Sequence, residues 1–338
     1  MRGIGRAGRP AHPAAPGLSL PGSSGFPCGP PAAPPTPARP VAFRELRQYG
    51  RSSLHLADRP HESPDSAVFD RPPLADWTDL HGGLLLPGTG LPSVAQLETL
   101  RCAVQRHDGI GRPRFAVQSA QMLADGLHYE ERIRAGCIAT REHNWHDLLN
   151  ALVWLRYPRI KQALNLAQCA DIAKIGRRER TRAQCAMTHF DEAGAIALCS
   201  DPGLVDLWDR HDWHGLFWRE RPAWGSRIAV QVFGHAVLEL ALQPARLLLA
   251  KTIVLMASAE DVAAAAAGDD ALGRRIDQRV AGLIGAGARL RDPQELRPLP
   301  LSGIPGWHPE ARQETFYGEA PCFRPLREGR VYPPADDF

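Results

Sequence analysis

The sequence predicts a mainly α fold with small β-hairpins, an α+β class, in a single compact domain behind a disordered N-terminal extension. Three observations carry this. Several segments beyond residue 67 place apolar residues three and four apart behind helix-capping residues. Short apolar runs flank Gly-containing turns. Residues 1–66 are dense in Pro, Gly, Ala and Arg, as in Pro30-Pro31-Ala32-Ala33-Pro34-Pro35, and such a stretch buries too little apolar surface to offset its chain entropy. The expected organisation is an extension over 1–66, a folded domain over 67–332 and a short tail over 333–338.

Order is expected from Val68. Ser93, after Pro92 and three residues before Gln96, forms a capping-box pattern for a helix through His107. Leu127 to Arg134 and Cys137 to Thr140, around an Ala-Gly turn, read as a hairpin. The main helix is expected around Thr140 to Pro158, and a second begins at Pro158 and runs to Gln168. Ala186 to Phe190 and Ala195 to Cys199, around Asp191-Glu192-Ala193-Gly194, read as two strands. Asp201-Pro202 reads as N-cap and first residue of a further helix. Helices are also expected at 212–220, 233–242, 246–257, 259–267 and 270–285. The tail from Pro293 carries Trp307, Phe316, Tyr317 and Phe323, so it should pack on the domain.

Composition narrows the function classes. A net charge of +3 is too mild for a nucleic-acid surface. No apolar run approaches the roughly 20 residues that span a bilayer, and no apolar region follows the N-terminal arginines, so neither a membrane partner nor a secretory signal is expected. The seven cysteines are scattered and none form C-x-x-C, which argues for free thiols and a cytoplasmic location. There is no Gly-rich phosphate loop, no G-x-S-x-G and no H-E-x-x-H.

The candidate site begins on the main helix. With about 100° per residue, Trp145, Leu148, Leu149, Leu152 and Val153 share one side. His143, His146, Asp147, Asn150 and Trp154 gather on the other. Solvated helix faces favour Lys, Glu, Arg and Gln; this set suits a pocket or a buried network better. Imidazole and carboxylate on adjacent turns can hold a divalent metal or act as a base with its orienting acid. The His146-Asp147 doublet resembles metal-dependent phosphohydrolases of the HD type. It is a cheap signal, because His107-Asp108 and His211-Asp212 repeat it. His235 and Glu239, four apart on one expected helix, add a second pair that either binds metal or bonds internally. The basic run Lys174, Arg177, Arg178, Arg180, Arg182 reads as a solvated face, Asp191 and Glu192 as turn residues, and the aromatics Trp208, Trp213, Phe217, Trp218 and Trp224 as core.

Thr140-Arg141-Glu142, Asn144-Trp145-His146-Asp147, Asn150-Ala151-Leu152-Val153-Trp154, Pro158, Lys161 and Ala163-Leu164-Asn165 together resemble the signature of a bacterial family, domain of unknown function 3025. The resemblance continues through Phe190-Asp191-Glu192-Ala193-Gly194, Leu216-Phe217-Trp218, Val232-Phe233-Gly234-His235-Ala236, Gly303-Ile304-Pro305-Gly306-Trp307 and Phe323-Arg324-Pro325. It spans roughly 70 to 330. It implies one domain that includes the aromatic tail and supplies no activity. Asn144, His146, Asp147 and Asn150 match its pattern, while His143 falls at a variable position.

Two functional readings follow. In the first, the chain is a metal-assisted hydrolase, with a phosphoester as one candidate substrate. His146, Asp147 and Asn150 form the catalytic set, and His146, Asp147, His235 and Glu239 the ligands of a divalent metal. In the second, the chain is a non-catalytic interaction or structural protein whose polar residues form a buried hydrogen-bond network. The sequence leaves open whether it is an enzyme, and contact between the two helices decides whether a site exists.

Overall fold

The computed structural model describes residues 64–81 and 90–338. The expected extension lies outside the described residues except at its end, where Asp65 caps a 3-10 turn at Ser66–Asp70.

Helix α1 is Val94–Asp108. The Ser93 hydroxyl accepts from the Gln96 amide and Gln96 returns the bond, closing the expected capping box, and left-handed Gly109 ends the helix. Strand β1 (Arg114–Val117), helix α2 (Tyr129–Arg134) and strand β2 (Cys137–Thr140) follow. The hairpin expected over 127–140 is not formed. Its first arm is helical, because the His128 ring accepts from the Glu130 amide and the Glu131 carboxylate accepts from the His128 amide. Glu130 and Glu131 in the first turn and Arg132 and Arg134 in the last also suit the helix dipole. The second arm pairs in parallel with β1 instead.

Helix α3 is Trp145–Arg156. It starts later than expected, because Thr140 closes β2 and the Asn144 side chain accepts from the Asp147 amide to cap it. One face buries Leu148, Leu149, Leu152 and Val153. Helix α4 (Pro158–Ile175) runs two turns past its expected end. Tyr157 offers it no side-chain cap. Asp277 does so from elsewhere, accepting from the amides of Arg159 (3.1 Å) and Ile160 (2.9 Å).

Helix α5 (Arg182–Ala193) replaces the first strand of the second expected hairpin, and strand β3 (Gly194–Cys199) follows without a turn. A capping box between Thr181 and Gln184 starts the helix, an N-terminal signal that the hairpin reading passed over. Helix α6 (Pro202–Asp209) is capped by Asp201 as expected. The helix expected at 212–220 is present over residues 213–219, with its Gly215–Arg219 part π-helical. Strand β4 (Ile228–Val232), helix α7 (His235–Ala241) and strand β5 (Leu249–Met256) come next.

The helix expected at 246–257 is thus a strand. Its buried run Thr252-Ile253-Val254-Leu255 has no alternation, as suits a strand covered on both faces, and its β-branched residues favour extended backbone. Helices α8 (Ala259–Ala266) and α9 (Asp270–Gly285), then strands β6 (Arg297–Pro300) and β7 (Asp336–Asp337), complete the fold.

The larger sheet runs β4-β3-β5-β6, with β7 also pairing β5. β3 lies parallel to β5 and antiparallel to β4, with Gly194 opposite Lys251 and Ala195 opposite Val232. The class is α+β, mainly helical with small sheets. The aromatic tail joins the core: Tyr317 and Phe323 lie 6.0 and 5.9 Å, ring to ring, from buried Phe217.

Candidate metal centre

Three elements converge at the ends of α5 and β3. Phe233 and Gly234 both donate backbone N–H bonds to the Gly194 carbonyl, at 2.9 and 2.8 Å. The approach is close enough that a Cβ on Gly234 would lie 2.4 Å from the Gly194 nitrogen. Glycine here lets the start of α7 rest on the end of α5. α3 also packs against α7.

This brings His146, His235 and Glu192 together. One ligand atom from each lies within 4.8 Å of the others. The Nε2 atoms of His146 and His235 are 3.1 Å apart. Two nitrogens on one tetrahedral zinc ion would be about 3.3 Å apart, from Zn–N distances near 2.05 Å. Glu239 is close but faces the other side of the ring: its Oε2 is 2.8 Å from His146 Nδ1. A carboxylate on one nitrogen of an imidazole favours the tautomer with the proton on that nitrogen, and is the usual outer partner of a metal-bound histidine. His235 Nδ1 is buried and closes no hydrogen bond of good geometry, while the Asp191 backbone carbonyl acts on the ring.

The electrostatics separate the two imidazoles. Burial alone would lower His146, yet its hydrogen bond and charge interaction with Glu239, aided by Glu192, hold it above its ordinary range. Burial, then the charges of His146 and Lys161, press His235 well below its ordinary range, so it is a neutral nitrogen donor near neutral pH. Burial raises the Glu192 carboxyl, opposed by His146.

The other expected site residues are placed differently. Asp147 belongs to a separate contact: its carboxylate accepts from the Arg141 amide at 2.6 Å and from the Arg141 guanidinium at 2.8 and 3.1 Å. Asp147 is therefore not part of the cluster, whose carboxylate is that of Glu192. The physical reason is its position in the first turn of α3, where it reaches back to the preceding loop. Glu239 is an outer partner of His146, and its expected bond partner His235 points at His146 instead. Asn150 engages both ends of its amide, donating to the Tyr129 hydroxyl (3.1 Å) and accepting from Lys161 Nζ (2.9 Å). His143 is exposed, with φ +53° in the turn before α3. Glu192, Lys161 and Tyr129 were not selected from sequence, although Glu192 and Lys161 lie in the blocks that carry the family resemblance.

The repeated doublets are structural. Asp108 pairs with Arg112, and His211 bonds the Arg324 carbonyl and the Tyr332 hydroxyl. All six described cysteines are free, and Cys28 lies outside the described residues. Among the described residues, no helix is long and apolar enough to cross a membrane.

The chain is thus an α+β domain in which two imidazoles and one carboxylate come together where three helices pack. A family model described as "Protein of unknown function (DUF3025)" matches residues 113–327, more than half of the chain. The chain belongs to that family, and the matched stretch contains α3, α5 and α7. Neither the curated proteins nor the solved structures yield a match.

Proposed function

We propose that the chain is a metal-assisted hydrolase, with a phosphoester as the first substrate class to test. The observation that carries the reading is the convergence of one ring nitrogen each of His146 and His235 and a Glu192 carboxylate oxygen within 4.8 Å, with Glu239 on His146 Nδ1. Three N/O ligands suit a divalent zinc-class ion and leave a coordination position for water. Such an ion lowers the pKa of bound water from 15.7 toward about 7 and polarises a phosphoryl oxygen. Within the cluster the His146 side chain keeps 25% exposure.

The test is hydrolysis of a generic aryl phosphomonoester and phosphodiester by chelator-treated protein, before and after one equivalent of Zn2+ or Mn2+. Metal-restored turnover that is lost in His235→Ala supports the proposal. Absence of turnover on both esters with metal bound removes the phosphoester reading.

A second reading has its own support. His146 is bonded at both ring nitrogens by protein groups, and the described cavities lie elsewhere, beside Trp307 and beside Cys137. On that reading the cluster is a non-catalytic tie between α3, α5 and α7. We further read the chain as a cytoplasmic bacterial protein with neither membrane nor nucleic-acid partner, for which the unpaired cysteines are the support.

A further inference from the structure

We infer that Lys161 is a positioning residue for the His146–His235–Glu192 cluster, acting through its ion pair with Asp191. The inference rests on the metal reading above.

Lys161 is buried on α4, and its Nζ donates to Asp191 Oδ1 at 2.6 Å and to Asn150 Oδ1 at 2.9 Å. The Trp154 ring lies 5.4 Å from the same nitrogen. Asp191 immediately precedes Glu192. Asn150 is one turn beyond His146 on α3. A single ammonium therefore bears on two of the ligands: it reaches Glu192 through its chain neighbour Asp191, and His146 through the helix that Asn150 shares with it.

Cohesion alone does not explain this arrangement. A buried ion pair contributes little net stability compared with apolar residues of similar volume. What it supplies is direction. The Asp191 carboxylate is held on Lys161, which sets the rotation of the last turn of α5 and leaves Glu192 to face the histidines. Removing outer partners of this kind characteristically lowers metal affinity 10- to 100-fold.

The experiment is titration of Co2+ into the metal-stripped full chain, followed by its visible absorption and by calorimetry, with thermal unfolding measured alongside. The key variant is Lys161→Met with Asp191→Leu, which removes both charges and leaves none buried alone. We expect it to stay folded and to bind Co2+ roughly 10- to 100-fold more weakly, with an altered absorption band. Should it fail to fold, Asp191→Asn, which keeps the shape and cancels the charge, is expected to weaken binding about tenfold. Wild-type affinity and spectrum in the folded double variant, or in Asp191→Asn, would overturn the role of Lys161 while leaving the metal reading in place. A wild-type chain that binds no Co2+ would remove both.

Discussion

Glu192 reaches the two histidines from the last turn of α5, whereas Asp147 is held by Arg141 at the start of α3. Their substitutions should therefore part company. Glu192→Gln is expected to lower metal affinity at least tenfold, because a neutral amide is a poor ligand for a divalent ion. Asp147→Asn should leave affinity unchanged and cost about 1 kcal/mol or less of stability, the range of a partly exposed ion pair. Calorimetric metal titration and denaturant unfolding of the two variants decide this. At this scale the sequence was half legible. His146, His235 and Glu239 were selected from helical spacing, and their helices do meet. Glu192 was hidden because Asp-Glu before Gly carries the chemistry of a turn. Asp147 was overread because a wheel places a residue on a face but does not show where a first-turn side chain bends.

Asp277 links two elements, since α9 supplies through it the cap that α4 lacks. Burial raises its carboxyl from 3.8 to about 6 despite these two backbone bonds. The folded state thus binds this proton more tightly than the unfolded state does. The contribution is fully present below pH 3.8 and is lost as the pH rises through about 6, a change of about 3 kcal/mol at 1.36 kcal/mol per unit. Asp277→Asn keeps an acceptor and cannot ionise. Its unfolding free energy should lack this decline between pH 4 and 6, as urea titrations across that range would show. If wild type and variant have the same pH slope, the cap is not strained by its charge. Elements with their own punctuation were legible: the Ser93–Gln96 box, Pro158 and Asp201-Pro202 all mark true helix starts. β5 was not, because a continuous apolar run fits a buried strand and a buried helix equally. The two hairpins failed because the caps at His128 and Thr181 outweigh local alternation.

Over the whole molecule, the tail closes the structure around Phe217 instead of trailing from it. Phe316 is buried at 5% exposure and packs edge-on to Phe323, 5.2 Å between ring centres. Phe316→Ala should cost about 3 kcal/mol, the lower end of the range for buried Phe truncations. A shifted midpoint in denaturant unfolding monitored by tryptophan fluorescence would show it. That packing was expected from the aromatic content of the tail alone. The sheet order was not, because pairing among β3, β4, β5 and β6 joins partners far apart in the chain, such as Gly194 with Lys251 and Leu249 with Pro300, which no local period encodes.

Whether His146, His235 and Glu192 hold a metal ion is decided by elemental analysis of the purified full chain beside His146→Ala. Wild type should carry close to one divalent transition metal per chain, and His146→Ala far less. A metal-free wild type, with a variant that loses only stability, would contradict the metal reading and leave the cluster as a structural tie.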